Sequence, residues 1–170
     1  MSTINNHLQH GATGWADLGM AADGQSGLGP TIERAHREKM LLCATLEEVA
    51  DGLPSRVNPL QCLTVASALV PMLRAIHRYE ENVVFPVYLT IAGGGGDAIA
   101  SIARLKAEHV EDECFADELT EVLMALGHGG RVDNPEATGF MLRGFFETIR
   151  RHVAFEREHI LPTIATSEEP

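Results

Sequence analysis

Four long segments with a helical repeat, separated by breaks rich in glycine and proline, constrain the fold of this chain more than any other feature. They run from about Pro30 to Asp51, Asn58 to Ala92, Asp97 to Leu126 and Asn134 to Ile164. Within each segment apolar residues recur every three or four positions, which is the period of an amphipathic helix. Long helices joined by short turns pack as antiparallel neighbours. The sequence therefore predicts an all-α fold, an up-down-up-down four-helix bundle.

This bundle, at residues 30–165, is the single domain that we expect in a chain of 170 residues. Residues 1–29 are rich in glycine and lack a repeat, so they predict an irregular N-terminal arm. Residues 166–170 are polar and acidic and predict a frayed tail. Pro71 and Pro86 fall inside the second segment, where we expect them to kink the helix or end it early.

The charge of the chain excludes several classes of partner. With 24 acidic and 13 basic residues the formal net charge is −11, which disfavours nucleic acid and anionic membranes as partners.

The first residues do not resemble a signal peptide, so we expect a cytoplasmic protein. Three cysteines without a C-x-x-C pair indicate neither a disulfide scaffold nor a thiolate zinc site. A homodimer stays open, because acidic bundles often present one apolar face.

Three histidine–glutamate pairs lie on the apolar stripes of the predicted helices. The pairs are His77 with Glu81, His109 with Glu113, and His152 with Glu156. Side chains four residues apart share one face of a helix, so each pair can reach one metal ion or bridge two. Imidazole nitrogen together with carboxylate oxygen suits iron, manganese or zinc.

Each predicted helix carries one such histidine at nearly the same height. The four are His36, His77, His109 and His152. Neighbouring histidines lie at nearly equal distances from the turn that joins their helices, with mismatches equivalent to only about 1.5–4.5 Å along the axes. Four histidines and several carboxylates exceed the shell of one ion. We therefore expect two ions about 3.5–4 Å apart, bridged by carboxylates.

The same residues carry a family resemblance over about residues 30–165. The segment His77–Pro86 resembles the H-x-x-x-E…F-P signature of hemerythrin-like HHE cation-binding domains, and His152–Pro162 resembles a second copy. Leu105–His109 and Ala35–Glu38 are similar to the histidine segments of the third and first helices of that family. The resemblance implies a non-haem di-iron centre in a four-helix bundle, with an oxo or hydroxo bridge between the irons. Manganese and zinc rank behind iron.

Carried over by position, the resemblance assigns a role to each candidate ligand. It implies that His36 and His77 hold one iron, that His109 and His152 hold the other, and that Glu81 and Glu156 bridge. Oxygen-carrying hemerythrins have a histidine where this chain has Glu113, which argues against reversible O₂ carriage. The implied function is binding of O₂ or nitric oxide, as a sensor, store or scavenger. The fold and the type of site do not by themselves assign an enzymatic reaction.

Two other functions stay open on the sequence alone. A ferritin-like carboxylate di-iron oxidase would use a different ligand set, namely Glu33, His36, Glu81, Glu113, Glu156 and His159. A metal-free helical interaction module would turn the histidine–glutamate pairs into ordinary ion pairs and the remaining histidines into satisfied core residues. Near the expected site, Glu80 would bond a ligand imidazole or face water, and His159 would be an outer or alternative ligand.

Overall fold

Every element of the computed structural model is a helix over residues 27–168, the part of the chain that the structure describes. The helices are α1 (Leu28–Gly52), α2 (Pro59–Tyr79), α3 (Phe85–Ile91), α4 (Gly96–Gly127), α5 (Pro135–Phe155) and α6 (Leu161–Glu168). Single π-helical turns, π1 (Glu80–Val84) and π2 (Glu156–Ile160), join α2 to α3 and α5 to α6. Four rods result, as the sequence predicts: α1, α2–π1–α3, α4 and α5–π2–α6. The up-and-down order of the rods stays a prediction.

The ends of the helices follow from local sequence. Asn58 and Asn134 accept hydrogen bonds from backbone N–H groups in the first turns of α2 and α5, and a proline follows each asparagine. Gly93 and Gly94 adopt positive φ just after α3, a conformation that favours glycine. The predicted arm lies outside the described residues except for its last three positions, and α1 already includes residues 28 and 29.

Neither proline ends the second rod early, and the other expected outcome, a kink, stays a prediction. The helix runs through Pro71 to Tyr79, and Pro86 lies in the first turn of α3, directly after π1. A proline in a first turn needs no N–H partner, so the wider π turn lets the rod continue to Ile91. This rod, Pro59–Ile91, is long and apolar enough to cross a membrane by length and composition, but more than half of its most apolar window is buried inside the protein.

Two apolar clusters divide the core along the rods. The larger cluster joins α1, α2, α4 and α5 and includes Leu46, Leu69, Leu123 and Phe145. The smaller cluster, with Ile32, Val84, Phe85, Leu105 and Ile160, lies at the other end of the rods, beside both π turns. In the second, third and fourth rods, buried polar residues separate the members of one cluster from those of the other, and in α1 all members of the larger cluster except Ala35 follow His36. The fold therefore encloses a polar layer between the two apolar clusters.

Candidate metal centre

The polar layer consists of eight side chains that are at most 2% exposed. They are His36 and Lys39 of α1, His77 and Glu80 of the second rod, His109 and Asp112 of α4, and His152 and Glu156 of the fourth rod. Burial of polar groups costs free energy unless partners or metal ions compensate it. The contacts within the layer therefore indicate which of its atoms are satisfied and which are available to a ligand.

Each π turn begins at a glutamate of the layer. Glu80 opens π1 and Glu156 opens π2, and both side chains are 1% exposed. The N–H of Phe85 donates to the Glu80 carbonyl, and the N–H of Leu161 donates to the Glu156 carbonyl, five residues back in each case. Turns of this kind often occur at functional sites of helical proteins.

The inner oxygens of these two glutamates face imidazole nitrogens. Glu80 Oε2 lies 3.1 Å from His109 Nε2 without hydrogen-bond geometry. Glu156 Oε1 lies 3.6 Å from His152 Nε2, and Glu156 Oε2 lies 3.0 Å from His36 Nε2. The centre therefore contains carboxylates from two rods that face histidines from three rods.

The histidines themselves are packed closely. The rings of His77 and His109 stack with centroids 3.9 Å apart and an angle of 5° between their planes. His109 Nε2 and His152 Nε2 are 3.3 Å apart. Phe85, from the smaller apolar cluster, also stacks on His109, with ring centroids 5.6 Å apart. The Nε2 atoms of several imidazoles therefore point at one small volume.

A second set of carboxylates holds the outer nitrogens of these rings. The Nδ1 atoms of His77, His109 and His152 lie 3.0, 2.8 and 3.2 Å from Glu113, Glu81 and Glu108, respectively. These outer carboxylates, as we call the three glutamates, are 26–33% exposed. Carboxylates on the outer nitrogen of an imidazole fix its tautomer and orientation when the inner nitrogen is a metal ligand.

Two overlapping groups of buried side chains could hold a metal ion. One consists of His77, Glu80 and His109, the other of Glu80, His152 and Glu156, and the ligand atoms within each group lie within 4.8 Å of one another. Among the described residues, His77 Nε2, Glu80 Oε2 and Glu156 Oε1 are buried without a hydrogen-bond partner. Nitrogen and carboxylate oxygen of this kind suit iron, manganese or zinc, so the residues present fit a metal centre.

Lys39 is the unexpected member of the layer. Its Nζ donates a 2.7 Å hydrogen bond to Glu80 Oε1 and lies 3.6 Å from Glu156 Oε2. Burial lowers the pKa of Lys39, but the charges of Glu156 and Glu80 outweigh burial and raise the pKa above its ordinary value. The ammonium group is therefore charged inside the protein.

The layer shifts the pKa values of its carboxyl groups in opposite directions. Burial and the charge of Glu156 raise the pKa of Glu80, but Lys39 and His109 outweigh them and lower it to about 2. Burial alone likewise raises the pKa of Glu156, yet Lys39 and the neighbouring histidines hold it well below its usual range. The charges of His152 and Lys39 act less strongly on Asp112, so burial outweighs them and raises its pKa to about 6.

Two histidines of the layer differ in protonation. Burial lowers the pKa of His77 well below its ordinary value, with further lowering by the charges of His109 and Lys39. Burial and Lys39 also lower the pKa of His152, but its contacts with the carboxylates of Glu108 and Glu156 outweigh them and raise it to about 9. His77 is therefore ready to bind a metal ion at neutral pH, whereas His152 must first lose a proton.

The structure separates the candidate ligands into an inner and an outer set. Five of them lie in the polar layer: His36, His77, His109, His152 and Glu156. Glu81 and Glu113, predicted as ligands, belong to the outer carboxylates, and Glu80 takes the inner position next to Glu81. The ferritin-like set is not brought together, because Glu33 is 58% exposed and His159 is 49% exposed.

Sequence reasoning missed Lys39, Asp112 and the outer role of Glu108. A signal for Lys39 was available, because the chain has only two lysines and this one follows His36 by three residues on a predicted apolar stripe. Asp112 follows His109 by the same spacing. Positions three residues apart share a helix face just as positions four apart do.

An open surface depression of about 380 Å³ reaches the layer from solvent. Its lining consists of Arg74, His77, Arg78, Glu81, Asn82 and Glu113. Arg74 bonds Glu113 and Asp117 across the gap between α2 and α4. The depression therefore offers a small molecule a path to the His77 side of the centre.

Comparison with known proteins supports the metal chemistry of this site. The family model of the hemerythrin HHE cation binding domain matches residues 30–164, which include the whole polar layer and the outer carboxylates. No curated protein and no solved structure matches the sequence.

Proposed function

Because this chain belongs to the family of hemerythrin HHE cation-binding domains, we propose that its polar layer is a non-haem iron centre. We propose further that the centre binds O₂ or nitric oxide, so that the protein acts as a sensor, store or scavenger of that ligand. The observation that carries the proposal is the set of buried ligand atoms without hydrogen-bond partners, His77 Nε2, Glu80 Oε2 and Glu156 Oε1. Leaving three such atoms unsatisfied would be costly in a protein that binds no metal.

Iron is the metal proposed because the ligand set is mixed and the small ligand is diatomic. Thiolate ligands are absent among the described residues of the layer, and imidazole with carboxylate suits iron as well as manganese and zinc. Bound iron would supply a redox-active centre that takes up O₂ or nitric oxide. The sequence-based expectation of two irons depends on the space between Glu80 and Glu156, where Lys39 lies.

The residues around the layer prepare it for this chemistry. The outer carboxylates orient His77, His109 and His152 so that each Nε2 points inward. The two apolar clusters close the layer from both ends and keep bulk water away. Access is left from the side, where the surface depression reaches His77. A buried site that is closed at both ends favours a small uncharged ligand over a larger or charged substrate.

An anaerobic titration with ferrous iron tests the proposal. After removal of loosely bound metal, we expect at least one iron per chain by metal analysis. Nitric oxide should then change the optical and electron paramagnetic resonance spectra in proportion to the bound iron. A folded wild-type protein that retains no iron would overturn the proposal, and iron retention without any response to nitric oxide or O₂ would overturn its ligand-binding part.

A matched pair of histidine variants shows whether the iron lies in the layer. His109→Ala removes a buried imidazole that belongs to one of the two ligand groups, so it should abolish tight retention of iron. His128→Ala removes an exposed histidine at the end of α4, where Nδ1 bonds the Met124 carbonyl, and should retain iron as the wild type does. Equal retention by both variants would place the iron elsewhere.

A further inference from the structure

The side chain of Lys39 divides the polar layer into two halves. Its Nζ lies 2.7 Å from Glu80 Oε1 and 3.6 Å from Glu156 Oε2, so one ammonium group contacts one oxygen of each glutamate. His36 Nε2 lies on the same side, 3.0 Å from Glu156 Oε2. One oxygen of each inner glutamate is therefore already held by cationic or polar groups of the chain.

The other oxygen of each glutamate faces the remaining histidines. Glu80 Oε2 and Glu156 Oε1 are buried without hydrogen-bond partners, on the side of His109 and His152. His77 Nε2, also unpartnered, belongs to the same side. Both groups of side chains that could hold a metal ion lie in this half, and neither includes His36.

We propose that the Lys39 ammonium takes the place of a second cation, so that the centre holds one metal ion rather than two. The inference rests on the proposed metal-binding function and refines it. The single ion would be held by Glu80 together with either His77 and His109 or His152 and Glu156, the two groups whose ligand atoms lie within 4.8 Å of one another. His36, expected from the sequence to hold an iron, instead positions Glu156 together with Lys39.

The charge of the layer agrees with one divalent ion. Glu80, Glu156 and Asp112 carry three negative charges when ionised, and Lys39 carries one positive charge. One divalent cation brings this sum to zero, whereas two would leave two positive charges in a buried volume, which is costly. The outer carboxylates do not change this comparison, because they are partly exposed to water and two of them also pair with Arg74 or Arg104.

The buried position of Lys39 also opposes a second ion between the glutamates. The side chain is 0% exposed, and its ammonium is enclosed by the layer and the apolar residues around it. A second divalent cation between the glutamates would meet the ammonium at close range, and like charges at that distance repel strongly in a buried site. The charge of the ammonium therefore disfavours a second ion at this position.

Metal stoichiometry tests the role of Lys39 directly. Full-length protein is titrated with Co²⁺, which needs no reductant, and bound metal is counted after gel filtration. We expect one Co²⁺ per chain in the wild type and two in Lys39→Met, which has a similar length but no charge. Lys106→Met, at the exposed second lysine of the chain, is the matched control and should bind one.

The outcomes separate this inference from the proposed function. No bound Co²⁺ in any variant would overturn the metal centre itself. Two ions per wild-type chain, or one ion in both the wild type and a folded Lys39→Met, would overturn only the role of Lys39. If Lys39→Met does not fold, anomalous scattering from crystals of the Co²⁺-loaded wild type decides. One peak with Nζ still between the glutamates supports the inference, and two peaks or a displaced lysine refute it.

Discussion

Adjacent glutamates of the second rod should respond very differently to the same substitution. Glu80 lies in the polar layer and is 1% exposed, whereas Glu81 is 33% exposed and contacts His109 from outside. Glu80→Gln and Glu81→Gln remove one charge each and keep the size of the side chain. The H-x-x-x-E spacing from His77 favours Glu81 as the inner ligand, whereas the structure places Glu80, the first residue of π1, in the layer. The two variants therefore show which of the two glutamates is the inner ligand.

The magnitude follows from burial. Glu80→Gln breaks a 2.7 Å ion pair whose two side chains are 0% and 1% exposed. Breaking a buried pair costs about 3–5 kcal/mol, and the lower end applies because Glu156 still faces Lys39. Glu81→Gln weakens a partly exposed contact worth less than about 1 kcal/mol. With a urea m-value of about 2 kcal/mol per M, the midpoint should fall by about 1.5 M and by less than about 0.5 M, respectively.

The assay is urea unfolding of the metal-free variants, followed by Co²⁺ titration of the folded proteins. Glu81 orients His109 through Nδ1, so its loss should weaken metal binding by about 10–100-fold. Glu80 belongs to both candidate ligand groups, so its loss should exceed that range. Equal effects of the two variants, or a larger effect of Glu81→Gln in both assays, would refute the assignment of Glu80 as the inner glutamate and Glu81 as the outer one.

Three further predictions concern titration, thiol access and packing. The free energy of unfolding of the metal-free protein should fall by about 3 kcal/mol from pH 6.5 to pH 9, as measured by urea titrations. The reason is that the pKa of His152 is raised to about 9, so the stabilisation from the protonated imidazole is lost as pH rises through that value. The His152→Gln variant should lack this fall. A thiol reagent should label one cysteine of the native protein, the exposed Cys114, and all three in denaturant, because the other two are buried and burial raises their pKa values. Gly127→Ala should destabilise the fold, because a Cβ at residue 127 would lie 2.5 Å from the Leu63 side chain. Gly144→Ala should instead stabilise it by about 0.5–1 kcal/mol, because a Cβ at residue 144 would have nothing within 4 Å. Thermal unfolding compares the two variants, and melting temperatures that shift in the same direction would contradict the close packing at Gly127.

The helices could be predicted from the sequence because their signals are local. Asparagine followed by proline begins α2 and α5, and glycines follow α3 and α4, so the predicted bounds lie close to those of the structure. The apolar repeat likewise identifies the buried face of each helix, and the four histidines on those faces all lie in the polar layer. Residues 1–26 lie outside the described structure, so the irregular arm stays a prediction.

The spacing from His36 places Lys39 on the inner helix face, but its ion pairs could not be predicted, because they depend on two glutamates of other rods. A lysine on an apolar stripe usually extends its stem along the surface and keeps its charge in water. Here Glu80 and Glu156 converge on one point from the second and fourth rods and hold the ammonium inside. Only the tertiary arrangement of the rods shows that both carboxylates are within reach of one lysine.

The inner glutamates follow the prolines of the chain more closely than its histidines. Glu156 is both four residues after His152 and six before Pro162, so the two rules agree and the spacing alone selects the buried residue. In the second rod they disagree, because Glu81 is four after His77 whereas Glu80 is six before Pro86. Pro86 and Pro162 each lie in the first turn of a new α-helix, and the π turn that precedes that helix begins five residues before it, at the buried glutamate. In both rods the π turn begins at the inner glutamate, so the segment from the histidine to that glutamate is ordinary α-helix. The spacing is three residues in the second rod and four in the fourth, and a helical wheel places both spacings on one face, so it cannot choose between Glu80 and Glu81.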